Sequence, residues 1–207
     1  CRQHHHQTQH DEDGDDQGDD VEGGGRWLVG LHRCPRRGVP AERGGTLGMS
    51  DHTKYQRLLD ACKGLPPMPT AVVHPCDDAA IEGAIGAARL GLIEPILVGP
   101  QARIAEAAAK AKIDISAYRL VDVAHSHAAA AKAVELVLQG EAEALMKGSL
   151  HTDALMAAVV RRDGGLRTAR RVSHCFVMDV PQHEQTLIIS DAAVNIQPTL
   201  EDKVHIV

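Results

Sequence analysis

Three short stretches bring together residue types that handle charge and protons. Lys147, Gly148 and Ser149 follow directly on the apolar run 144–146, and Thr152 stands three positions further on. A cation, a glycine that lets the backbone come close, and hydroxyls opening a helix with unpaired N–H groups would suit a phosphate. The same residues would serve as an ordinary helix cap, with Ser149 or Thr152 capping a helix through Val160, and spacing alone leaves both readings open. The stretch is not a nucleotide-binding P-loop, because the spaced glycines and the Gly-Lys-Ser/Thr order are absent. In the second stretch, Ser173 and His174 open the apolar strand 172–178 behind Arg167, Arg170 and Arg171. Those arginines read as a solvated face before they read as a source of charge for chemistry. In the third, Ser190 and Asp191 end an apolar strand and Asn195 follows. Asp191 stands where catalytic carboxylates are often found, but the residues alone favour Asp191 and Asn195 fixing a strand-to-helix loop through bonds to backbone.

Other reactive side chains carry less. His174 and Cys175 are adjacent on a strand and face opposite sides of the sheet, so they do not form a Cys/His nucleophilic pair, and Cys175 is expected as a buried apolar residue. His125, His127 and His151 lack zinc-ligand spacing and read as surface or capping residues. The cluster His4, His5, His6 and His10 lies in a polar tract without a scaffold to fix ligand geometry. No metal site is expected.

The elements that must position these residues follow from the apolar pattern. Beyond residue 49, short β-branched runs alternate with alanine-rich stretches, which predicts an α/β fold with a parallel-rich sheet and helices on both faces. Helices are expected over 51–62 with Asp51 as cap, from Asp77 or Asp78 to Leu90, over 101–112, and from a Ser126 cap with Ala130, Ala133, Val134, Val137 and Leu138 on one face. Strands are expected over 70–74, over 96–99 after Pro95, over 119–123 and over 144–146. A last helix is expected after Pro198, capped by Thr199 and backed by Glu201 and Asp202. In such sheets ligands collect outside the carboxyl ends of the strands, which makes the 147–149 turn the first place to look for chemistry.

Composition narrows the function. The chain has 207 residues, 43% hydrophobic and 24% charged, with a formal net charge of −6. Trp27, Tyr55, Tyr118 and Phe176 are its only Trp, Tyr or Phe side chains. An acidic chain with so few stacking surfaces is a poor nucleic-acid binder. No apolar run approaches the ~18 residues of a membrane span, and no secretory signal pattern opens the chain. Five cysteines without CxxC spacing fit a reducing cytoplasm and no disulfide framework. Residues 1–48 are polar, glycine-rich and charge-segregated, acidic to residue 25 and basic after it. They are expected to be a disordered, low-complexity extension read through upstream of a true start at Met49.

Three segments, LMKGSLHTDAL (145–155), GLRTARRVSHCFVMDVP (165–181) and LIISDAAVNIQPTLEDK (187–203), resemble in order and spacing the phosphate acetyltransferase and phosphate butyryltransferase family. The likeness extends through IEPILVGP (93–100) to about Met49 and is strongest for the short bacterial form, which also occurs fused behind a hydratase domain. The resemblance implies reversible transfer of an acetyl or butyryl group between coenzyme A and inorganic phosphate. It also implies a two-domain fold like that of isocitrate and isopropylmalate dehydrogenases, a homodimer, a site in the cleft between domains, and coenzyme A as substrate with no bound cofactor. Residues 49–163 would be the first α/β domain and 164–207 the start of a truncated second one. By position, Lys147, Gly148, Ser149, Thr152, Ser173, Asp191 and Asn195 would line the substrate site. Family members continue past the point matching Val207, and that further segment resembles the source of the catalytic serine, arginine and aspartate. The chain is therefore expected to be a fragment, inactive by itself. The rival readings are a non-catalytic regulatory domain of the same fold that binds acyl-CoA or acyl phosphate, and a 2-hydroxy-acid oxidative decarboxylase. For the second, neither the aspartate cluster nor the nicotinamide site is recognisable.

Overall fold

Alternation of β-branched and alanine-rich segments produces four consecutive strand-helix units. The computed structural model describes residues 28–30, 53–180, 183–191 and 194–206. Strand β1 (Leu28–Gly30) and helix α1 (Thr53–Cys62) precede the units. These are β2 (Met68–Val73) with α2 (Asp78–Arg89), β3 (Ile93–Gly99) with α3 (Gln101–Lys110), β4 (Arg119–Asp122) with α4 (Ser126–Leu138), and β5 (Ala144–Lys147) with α5 (Thr152–Val159). An antiparallel pair, β6 (Cys175–Met178) and β7 (Leu187–Ser190), and the short helix α6 (Leu200–Ile206) follow.

The five-stranded sheet has the order β1-β5-β2-β3-β4, parallel except for β1, which runs antiparallel to β5. The chain steps outward from β2 through β3 to β4, then returns through α4 to lay β5 on the other side of β2. Its helices divide accordingly. Val72 and Leu97 pack with Ile81, Ala84, Ile85, Ile104, Ala107 and Ala108 of α2 and α3. Ala71, Val73, Ile96, Val98 and Leu145 pack with Ala129, Ala130, Ala133 and Val134 of α4 and with Leu155 and Val159 of α5. Strands buried on both faces explain the unbroken apolar runs, and alanines let the helices lie close. Lys54 of α1, only 6% exposed, pairs with the Asp179 carboxylate at 2.9 Å and donates to the Val180 carbonyl, while the Tyr55 N–H donates to the same carboxylate at 3.2 Å. This polar clasp ties α1 to the end of β6.

Several expectations shift in the structure. Pro95 lies inside β3, opposite Thr70, at a point where the pairing with β4 has not yet begun, so its missing N–H interrupts no ladder on that side. The cap of α4 is His125, whose Nδ1 accepts from the Ala128 N–H at 3.2 Å, rather than Ser126. On α4 Leu136 is buried and Leu138 is 55% exposed, which rotates the buried face from the predicted one. Cys175 is exposed, because among the described residues β6 pairs only with β7 in a two-stranded sheet and that face is left uncovered. Residues 28–30 form a strand on the edge of β5; the rest of 1–48, and Asp51, lie outside the described residues. The capping of α6 is as expected: Thr199 Oγ1 accepts from the Asp202 N–H at 3.2 Å and the Thr199 N–H donates to Asp202 Oδ2 at 2.9 Å.

The β2–β5 ladder continues beyond the strands. The Gly148 N–H donates to the Val73 carbonyl at 2.8 Å and the Ser149 N–H to the His74 carbonyl at 2.9 Å. A Cβ on residue 148 would stand 2.6 Å from both carbonyl oxygens. Gly148→Ala is therefore expected to destabilise the complete protein by about 1–3 kcal/mol, since main chain on both sides has to move. Gly86→Ala, on α2 with nothing within 4 Å of the added carbon, is expected to stabilise by about 0.5–1 kcal/mol through helix propensity. Equilibrium denaturation midpoints of the two variants check both signs, and a neutral Gly148→Ala would refute the close approach.

Candidate functional site

The order of the sheet creates the site. β2 and β5 are parallel neighbours, but the chain leaves β2 toward α2 on one face and leaves β5 toward α5 on the other. Their two exit loops diverge and open a crevice at the carboxyl ends of the strands, the usual ligand position in an open α/β sheet. One wall is 74–77 and the other is 148–151.

His74 turns the first wall. Its φ is +53°, a left-handed conformation seldom adopted by a residue with a Cβ. The turn brings its carbonyl to face three donors: the Cys76 N–H at 2.9 Å, the Ser149 N–H at 2.9 Å and the Ser149 hydroxyl at 2.9 Å. Ser149 Oγ in turn accepts from the Cys76 N–H at 3.1 Å and lies 3.4 Å from His74 Nδ1. Ser149 thus joins the two walls and does not cap α5. The residue before that helix, His151, makes no side-chain cap bond to it, and Thr152 is its exposed first residue. Asp77 caps α2 by accepting from the Ala80 N–H at 2.6 Å.

Lys147 sits just behind this crevice. Its ammonium donates to the Leu150 carbonyl at 2.8 Å and the Gly148 carbonyl at 3.2 Å, bracing the loop around it. An ammonium has three N–H groups, so this bracing leaves capacity for one further acceptor. The exposed Arg103, in the first turn of α3, acts electrostatically on His74 and on Cys76 and adds positive charge at the crevice. Burial raises the Cys76 thiol above its ordinary range, the Arg103 charge opposes that and Asp77 adds to it, which keeps the sulfur an inert thiol.

Asp191 and Asn195 form a separate cluster beside the β6–β7 pair. The Asp191 carboxylate accepts from the Val194 N–H at 3.0 Å, the Asn195 N–H at 3.2 Å and the Asn195 side-chain amide. That amide also donates to the Val172 carbonyl at 3.0 Å, next to the exposed Ser173. The pair fixes the loop after β7, the loop-fixing role the residues themselves favour. Of the positions singled out by sequence, Lys147, Gly148 and Ser149 come together with Thr152 close by, while Ser173, Asp191 and Asn195 gather on the second sheet. Sequence reasoning passed over His74, the Cys76 amide and Arg103. The first stands directly after a strand, a position that itself could have flagged it; the others are visible only once α3 and the 74–77 turn are placed. Arg171 is engaged by Asp202, at 2.6 Å. Among the described residues, no group of three or more His, Cys, Asp or Glu could hold a metal ion, and no helix is long and apolar enough to cross a membrane.

Burial, joined by the Arg103 charge, holds the His74 imidazole below its ordinary value of 6.5, against the opposing pull of its Ser149 and backbone hydrogen bonds and of Asp77. The unfolded chain therefore binds a proton at His74 more readily than the folded one. This contribution to stability is complete above pH 6.5 and is lost as pH falls through the lower folded value. Urea midpoints of the complete protein are expected to fall as pH drops below 6.5, and less steeply in His74→Asn. Identical slopes for the two proteins would contradict the assignment.

Comparison with known proteins converges on one family. Residues 124–207 match the family model described as phosphate acetyl/butaryl transferase. The chain is 56% identical over 155 residues to the phosphate acetyltransferase of Rhizobium meliloti, an alignment covering 75% of this chain and 49% of that protein. It is 34% identical over 153 residues to the phosphate butyryltransferase of Clostridium beijerinckii, covering 74% of this chain and 51% of that one. The chain spans about half the length of the curated relatives it matches. In fold it resembles a phosphotransacetylase from Streptococcus pyogenes, with a TM-score of 0.61 at 17% identity over 74% of this chain and 55% of that chain. The resemblance in the three sequence segments is matched there: residues 124–207, which contain β5, α5 and the Lys147-Gly148-Ser149 turn, are similar to the phosphate acetyl/butaryl transferase family.

Proposed function

We propose that the complete protein transfers an acyl group, acetyl or butyryl, between coenzyme A and inorganic phosphate, and that the β2–β5 crevice is where the phosphate end of the acyl phosphate binds. The observation that carries this reading is the coincidence of two independent facts. The stretch that matches the phosphate acetyl/butaryl transferase family model includes the turn that stands at the carboxyl end of the sheet, and that turn, with Arg103, presents a cation, a hydroxyl and helix N–H groups suited to a phosphate.

The chemistry follows from the charges. A coenzyme A thiol loses its proton, the thiolate attacks the acyl carbonyl, the bond from that carbonyl to the bridging phosphate oxygen breaks, and phosphate leaves with the negative charge. A free thiol with a pKa of about 8.5 is only a few per cent thiolate at pH 7, so a base helps at one end and fixed positive charge at the other. Lys147, Arg103 and the Ser149 hydroxyl serve the phosphate end, with Gly148 admitting the loop to β2 and Thr152 opening α5 beside it. Ser173, Asp191 and Asn195 belong to the facing unit, with Asp191 and Asn195 holding the shape of its loop. In this reading residues 49–163 are the first domain and 164–207 begin the second, arranged as in isocitrate and isopropylmalate dehydrogenases. Coenzyme A is a substrate, no cofactor is bound, and the protein works as a cytoplasmic homodimer.

The complete protein is expected to form acetyl-CoA or butyryl-CoA from the acyl phosphate and coenzyme A. Ser149→Ala is expected to raise the KM for acyl phosphate roughly 10- to 100-fold, the loss of one hydrogen bond to a charged group. A steady-state assay over both substrates decides it. Binding of acyl phosphate without product would favour a regulatory domain, and an unchanged KM in Ser149→Ala would remove the crevice from the phosphate site.

A further inference from the structure

His74 combines two unfavourable features in one residue. Its backbone is left-handed, and its imidazole is buried with Nε2 lacking a hydrogen-bond partner among the described residues, in a residue only 4% exposed. Each feature carries a local cost, since a left-handed residue with a Cβ and an unpaired buried nitrogen are destabilising taken alone, and the three bonds to the carbonyl do not require the side chain to be an imidazole. Their coincidence at a ligand crevice points to a functional constraint.

The hydrogen-bond inventory of Ser149 says what the constraint is. A serine hydroxyl has one hydrogen and two lone pairs. The Cys76 N–H occupies one lone pair at 3.1 Å, and the hydrogen rests on the His74 carbonyl at 2.9 Å. His74 Nδ1, at 3.4 Å, faces the remaining lone pair. Placing the imidazole proton on Nδ1 leaves Nε2 as a buried acceptor, which a protein tolerates better than a buried unpaired N–H. With two donors pinning Oγ, its own hydrogen becomes the one movable element. It can swing from the His74 carbonyl to an incoming phosphate oxygen without the oxygen moving, and the Nδ1 bond shortens as Oγ becomes the better acceptor.

We propose that His74 is a positioning residue: as the neutral Nδ1–H tautomer it donates to Ser149 Oγ and thereby turns the Ser149 hydroxyl into a fixed donor for the phosphate group. This rests on the phosphate reading of the crevice given above. It adds an acting residue that touches no substrate itself and works only through Ser149.

The test uses the complete protein. Long-range proton–nitrogen NMR of the His74 imidazole, without ligand and with inorganic phosphate, is expected to show Nδ1 protonated in both states; an Nε2–H imidazole would overturn the proposal without reference to activity. In steady state, His74→Ala is expected to raise the KM for acetyl phosphate by about ten-fold with kcat within about two-fold. His74→Asn, whose amide nitrogen can stand near the Nδ1 position and whose residue type accepts the left-handed backbone, is expected to recover most of that loss. His74→Gln, which reaches the Nε2 position instead, is not expected to do so. In a Ser149→Ala background, His74→Ala is expected to add nothing further, because its effect runs through the hydroxyl. If Ser149→Ala raises the KM and His74→Ala does not, or if the two effects multiply, the His74 proposal fails while the phosphate reading stands. If Ser149→Ala leaves the KM unchanged, the phosphate reading fails and takes the proposal with it.

Discussion

The contact on which the rest of the structure depends is between two main chains, where β5 runs on past its last paired residue and lays Gly148 and Ser149 against Val73 and His74. Both hydrogen bonds of that extension, at 2.8 and 2.9 Å, require the backbones to meet at a distance that no side chain on residue 148 would permit. Because β5 returns to the far side of β2, this contact is also the point where the sheet reverses its order of assembly. One glycine therefore sets the register of a buried strand pair and the width of the crevice at its end. A parallel pair flanked by helices on both faces has no solvent to absorb a slip, so an error of register here would displace both the apolar core and the polar turn.

The two polar clusters differ in how completely they are satisfied. Asp191 and Asn195 close on each other and on the backbone of 172, 194 and 195, which makes a rigid corner whose polar capacity is largely spent internally. The crevice is built the other way. His74 gives its carbonyl to three donors yet keeps a buried nitrogen unpaired, Lys147 braces its own loop with two of its three possible bonds, and the preceding residue leaves α5 without a side-chain cap. The crevice cluster thus keeps polar capacity in reserve beside a helix N-terminus, whereas the closed cluster spends its capacity on shape.

Much of the architecture was legible because it rests on periodic signals. The α/β class, the four strand-helix units and the turn after 144–147 follow from alternation and from Gly and Pro placement. Asp77 before α2 and Thr199 before α6 were readable as caps because carboxylates and hydroxyls in that role act locally. What escaped depends on partners far apart in sequence. His125 displaced Ser126 as the cap of α4 because an imidazole nitrogen happened to reach the Ala128 amide. Cys175 looked buried on its apolar neighbours alone, but burial is decided by whether a second layer covers the strand. The strand at 28–30 has no apolar period, and only the open edge of β5 gives it a place.

Ser149 is visible in the sequence with an undecided role, whereas His74 stands out only in the fold. Residues 147–149 announce themselves locally, as glycine and hydroxyl after an apolar run, but both a cap and a ligand site share that signature. The structure sets the cap aside, because the Ser149 hydroxyl is committed across the crevice to residue 74 and not to α5. His74 carries only one local sign, its place directly after a strand and before Pro75, and its left-handed turn goes with the meeting of Cys76 and Ser149 at its carbonyl. A conformation that costs stability locally and is explained only by a contact between residues 74 and 149 cannot be read from either segment alone. The candidate site is thus set apart by the pairing of two loops, and the sheet order that pairs them is the step that singles out a common tripeptide.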